Sequence, residues 1–161
     1  MIRTSHLPAG FDHCVWLVQA APDPSELATA VANFDPTDSW TDWDVYKQLA
    51  RFMQTERGRT LIRARAQDGL TRLVNATTPT EYFRARSDLL DIAATLGFHR
   101  LIGWRARDEF VAVAQAMVGA NGTHLVVSAF QRYLELALEI LANPTRYRPE
   151  PLGWHPAEIA P

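Results

Sequence analysis

The sequence predicts an all-α fold: one domain of five or six helices around a buried helix at about 124–142, with extended arms at 1–22 and 144–161. Three observations carry this. In "HLVVSAFQRYLELALEILANP" the residues Ser128, Gln131, Arg132, Glu135 and Glu139 fall within a strip of roughly 100° on an ideal helical wheel, and nearly everything else is apolar. Such a pattern belongs to a helix buried on most sides. In "TPTEYFRARSDLLDIAATLG" Thr80 stands as a cap, Gly97 where a left-handed C-cap belongs, and Tyr82, Leu89, Ala93 and Leu96 share a face. Finally, strand-like apolar patterning is confined to Phe11–Ala20, between "PAG" and "PDP".

The elements follow in order. With no strand to pair with it, Phe11–Ala20 reads as part of an extended arm lying on the helices, with Cys14 a small buried hydrophobe. "DPSELATAVANF" has Asp23 as cap, Pro24 at the first helical position, and Leu27, Val31 and Phe34 on one side. "TDWDVYKQLARFM" opens with Thr41 and Asp44 as a capping box. It sets Val45, Leu49, Phe52 and Met53 against Lys47, Gln48, Arg51 and Gln54. "ERGRTLIRARAQDGLTRLVNAT" scatters its apolar residues and is interrupted by Gly58 and Gly69, so it reads as one or two helices. After the 80–97 helix, "GFHRLIGW" reads as a connection. "RARDEFVAVAQAMVG" then groups Phe110, Val113, Ala114 and Met117 and ends at Gly119. Thr123 caps the last helix, which stops at Asn143-Pro144; from Pro144 onward the tail carries five prolines.

Length and composition limit the function. A chain of 161 residues suits one domain, and 47% hydrophobic with 21% charged residues is ordinary globular usage. The longest apolar runs fall far short of the roughly 18 residues that span a bilayer, and "MIRTSHLPAGFDHC" lacks the features of a secretory signal. No membrane association and a bacterial-type cytoplasmic location are therefore expected. The single cysteine excludes an internal disulfide and a cysteine-rich zinc site. The five histidines show no i, i+4 spacing, and phosphate loops, dinucleotide glycine fingerprints and nucleophile elbows are missing. No metal or cofactor is predicted, and no catalytic residue stands out, which weighs against an enzyme.

Four sets of residues remain as candidates. Trp40 and Trp43 in the acidic "DPTDSWTDWD", with Tyr147 and Trp154 in the tail, suit anchors for a protein partner. The segment 51–107 holds eleven basic and five acidic residues, against an acidic excess on either side. Its Arg57, Arg59, Arg63, Arg65, Arg72, Arg84, Arg100, Arg105 and Arg107 are the candidates for binding nucleic acid, if they gather on one face. Arg86 lies within an apolar stripe and calls for a partner; Glu135 or Glu139 would give a buried ion pair, or the three would line a ligand cleft. Lastly, "LLDIAATLGFHRLIGWRAR" resembles a helix-turn-helix at its bend, but Gly103 falls where the second helix needs its apolar anchor. The leading expectation is a small non-catalytic protein-interaction module, an adaptor, inhibitor or assembly subunit. The alternatives are a nucleic-acid-binding helical protein and an enzyme assembled around Arg86, Glu135 and Glu139.

Overall fold

The computed structural model describes residues 16–17, 49–118, 122–144 and 146. Among them 88% are helical and none lies in a strand. In chain order the helices are α1, of which 49–54 are described, α2 (Glu56–Asn75), α3 (Pro79–Phe98), the short α4 (Arg100–Arg105), α5 (Arg107–Met117) and α6 (Thr123–Ala142). No helix among the described residues is long and apolar enough to cross a membrane.

The core is built on α6. Its Val126, Phe130, Tyr133, Leu134, Ala137, Leu138, Ile140 and Leu141 are buried, and the strip from Ser128 to Glu139 faces outward, as its wheel requires. Helix α2 packs chiefly on α3 and α5 chiefly on α6, while α6 also touches α2 and α3. A buried phenol needs a hydrogen-bond partner. Tyr133 donates its hydroxyl to the Ala93 carbonyl of α3 at 3.0 Å and sets its ring edge-on to Phe110 of α5, with centroids 5.8 Å apart. Burial pushes that phenol's pKa far above its ordinary value.

Several boundaries depart from the sequence reading, each for a local reason. Helix α2 is unbroken through Gly58 and Gly69, and Thr55 caps it by accepting from the Gly58 amide at 3.0 Å. Gly58 is required by packing: a Cβ there would lie 1.9 Å from the Phe52 carbonyl oxygen, where α1 turns into α2. The cap of α3 is Thr78 rather than Thr80, because Pro79 suits the first helical position and Glu81 completes a capping box. That glutamate also accepts from the amide and hydroxyl of Thr77, which lower its pKa from the ordinary value. Gly97 is inside α3, not a left-handed cap; the cap is His99, with an ordinary φ of −70°. Gly122, not Thr123, caps α6. Trp16 and Leu17, the described part of the N-terminal arm, are helical rather than extended. Leu17 is fully buried, and the Trp16 indole donates to Thr95 Oγ1 at 3.1 Å. The helix expected from Asp23, the Thr41/Asp44 cap, Cys14 and the tail from Tyr147 lie outside the described residues.

The bend that resembles a reader of DNA is an internal corner. "RLIGWR" is helical rather than a loop, and Leu101, Ile102 and Ala106 are buried. The Gly103 amide donates to the His99 carbonyl at 2.9 Å. A Cβ on Gly103 would lie 2.6 Å from the Gly97 carbonyl oxygen, so α4 folds back against the last turn of α3 only because this residue has no side chain. The glycine that spoils a recognition helix is what lets the corner close. Helix propensity alone predicts that Gly103→Ala stabilises by about 1 kcal/mol. The contact with backbone predicts the opposite sign, a loss on the order of 1–3 kcal/mol, read as a lower urea midpoint.

Candidate functional site

A nucleic-acid track needs arginines side by side, and the fold separates them. Arg65 and Arg72 lie on the flank of α2 that meets α3. Arg65 stacks 5.7 Å from the Trp16 ring centre, and Arg72 is held between Asp68 at 2.9 Å and Asp88 at 2.8 Å. Arg59 and Arg63 lie on the flank that meets α6, where Arg59 donates to the Gln54 carbonyl. Arg57, Arg84 and Arg107 are exposed on α2, α3 and α5, and Arg105 covers the neighbouring Trp104 ring at 4.6 Å. The Arg100 side chain lies outside the described residues, as do Trp40, Trp43, Tyr147 and Trp154. The two flanks of α2 thus divide the positive charge, and the flank toward α3 interleaves it with carboxylates.

Arg86 is not brought to either glutamate. It donates from Nη1 to the Met117 carbonyl at 2.8 Å, and its guanidinium lies 4.7 Å from the Phe83 ring centre and 5.8 Å from that of Tyr82. Met117 is the last residue of α5, where carbonyls lack helical partners and the helix dipole favours a cation, so this end of α5 takes the place of a carboxylate. Glu135 and Glu139 are exposed on the side of α6 that faces α2. There they line a groove of about 610 Å³ opposite Arg59 and Arg63, floored by Leu134 and Leu138. Glu139 also approaches Arg146 at 3.8 Å. This groove has charged walls of both signs, but among the described residues no cluster of three or more metal-capable side chains.

One buried titratable group escaped the sequence reading. His99, only 4% exposed, sits at the corner between α3 and α4 with Nε2 3.0 Å from the amide nitrogen of Gln54 on α1, a residue expected on that helix's outer face. Nδ1 has no hydrogen-bond partner among the described residues, whichever way the Gln54 amide is turned. Burial lowers the pKa from 6.5 to about 4. The unfolded chain takes up this proton near the ordinary value and the folded chain only near the lowered one. Stability is therefore complete above the upper value and falls as pH drops through the window. The expected loss between pH 7 and 5 is about 2 kcal/mol. Urea midpoints at the two pH values measure it, and His99→Leu should flatten the difference whatever it does to stability at pH 7.

The remaining surface feature is apolar. Six large hydrophobic side chains among the described residues are substantially exposed; Val74 and Leu125 line grooves beside α6, and the other four lie on α3, on α5 and at the C-cap of α5. Phe83 (53% exposed) and Leu90 (41%) lie seven residues apart on α3, and Val111 (43%) and Val118 (72%) seven apart on α5 and its C-cap. At about 100° per residue, Phe83, Arg86 and Leu90 share the flank of α3 turned away from α2. Arg107, Val111, Ala114 and Val118 share the flank of α5 turned away from α6, whose opposite side, with Asp108, Glu109 and Gln115, lines a groove against α6. The chain reverses through α4, and the Arg86–Met117 bond joins the first half of α3 to the end of α5. The two helices therefore run antiparallel, with Phe83 level with Val118 and Leu90 level with Val111. The class that fold and surface define is an all-α bundle with an apolar strip along one interhelical seam. No family description, curated protein or solved structure matches the chain.

Proposed function

We propose that this chain is a small non-catalytic protein-interaction module, an adaptor, inhibitor or assembly subunit of a bacterial-type cytoplasm, and that it binds through the α3/α5 seam. The observation that carries the reading is the strip of Phe83, Leu90, Val111 and Val118. Apolar side chains left in water on two adjoining helices gain most by being covered, and a row of them, rather than scattered singles, marks a docking surface. The single cysteine is in keeping with a reducing compartment. The nucleic-acid alternative loses support from the dispersal of the arginines, and the enzyme alternative from the separation of Arg86 from Glu135 and Glu139.

Photo-crosslinking tests the reading. A benzophenone amino acid placed at Phe83, Leu90, Val111 or Val118 of the full chain, irradiated in cells, should give discrete polypeptide adducts. The same residue at Thr60 or Thr71, exposed on α2, should give few or none. Adducts of equal yield from both sets, or none from the strip, would rule the seam out as the binding surface.

A further inference from the structure

The seam's shape and charge go further than its apolarity. On the reading of the seam as a protein-binding surface, we infer that its partner is an amphipathic helix that presents a carboxylate to Arg107. Two helices side by side form a shallow trough, and the structure that fills such a trough by seating its ridges between theirs is a third helix. The spacing agrees. Seven residues separate Phe83 from Leu90 and Val111 from Val118, about 10.5 Å of helix axis, which is the spacing of i and i+7 anchors on a helix lying along the seam. Among the described residues there is no strand edge to which an extended peptide could add.

Charge selects the chemistry of that helix. The two flanks that face the seam carry two charges, both arginines. Arg86 is already engaged by the Met117 carbonyl and the Phe83 ring. Arg107 is exposed at the first position of α5, one turn before Val111. The carboxylates of these helices are placed off those flanks: Asp88 pairs with Arg72 toward α2, Asp108 and Glu109 line the groove toward α6, Glu81 accepts from Thr77 at the start of α3, and Asp91, exposed and itself engaged, lies about 140° round the wheel from Arg86. The trough is thus apolar over two turns and positive at one end. A complementary helix has apolar anchors over two turns and an acidic side chain one turn beyond them. A single available arginine is too little for an anionic lipid surface, where basic residues recur along the whole polar face.

Three fluorescein-labelled 18-residue peptides serve as probes: a helix with leucines along one face and glutamates at both ends of that face, the same helix with lysines for the glutamates, and the glutamate helix with its leucines changed to serine. Anisotropy with the full chain at low salt should show binding of the glutamate helix, at least tenfold weaker binding of the lysine helix, and none of the serine helix. Arg107→Glu should reverse the preference between the first two, and Phe83→Asp or Val118→Asp should abolish both. All three sites are exposed, and unchanged urea midpoints confirm that the variants fold. Equal binding of the glutamate and lysine helices, or no binding of either, overturns the inference; if crosslinks at the strip persist in that case, the protein-binding reading survives it. Two further results also overturn it. Binding to phosphatidylglycerol vesicles that Phe83→Asp removes would assign the seam to a membrane surface. A concentration-dependent dimer in sedimentation velocity that Phe83→Asp removes would assign it to a second copy of the chain.

Discussion

The fold depends on one buried hydroxyl. Tyr133 lies in the middle of the most buried helix, where its ring contributes apolar area and its oxygen would be costly without a partner. The Ala93 carbonyl supplies that partner with its second lone pair while remaining part of α3. The same ring rests on Phe110, so a single side chain sets the positions of α3, α5 and α6 relative to one another. Helix α2 is then held against α3 by its apolar face and by Arg72 between Asp68 and Asp88. The seam between α3 and α5 exists because both helices are pinned to α6 and neither is free to turn its outer flank inward.

Helix α3 consequently has two different sides. Toward α2 it is ionic and closed, with Asp88 paired and Thr95 receiving the Trp16 indole. Toward α5 it is apolar, and its one charge, Arg86, is absorbed by the C-terminal carbonyl of α5 and the Phe83 ring. Those contacts hold the charged guanidinium inside an apolar row without a carboxylate beside it. The outer edge of the row is exposed: Phe83, Leu90, Val111 and Val118 keep 41–72% of their surface. The corner at His99 is of a different kind, a buried imidazole whose Nε2 meets Gln54 of α1 and whose Nδ1 has no partner among the described residues.

What the sequence by itself determined is that the long segments of α3, α5 and α6 are helices and that α6 is the buried one. Both are periodic properties: apolar residues repeating every three or four positions must face one way, and the strip from Ser128 to Glu139 leaves that helix a single side for solvent. Tertiary structure decided whatever depends on which helices become neighbours. Thr78 rather than Thr80 caps α3 because Pro79 and Glu81 act together, a local matter the sequence contained. Gly97, Gly103, Arg86, Gln54 and His99 are different. Gly103 is small because the Gly97 carbonyl lies against it, Arg86 finds its hydrogen-bond acceptor at a helix end 31 residues away, and Gln54 turns inward to a histidine 45 residues away. The exposed strip is of this second kind as well. Each of its residues is an unremarkable apolar position on its own helix, and only the antiparallel packing of α3 on α5 brings the four into one row, because periodicity states which way a residue faces along its own axis and nothing about what stands opposite.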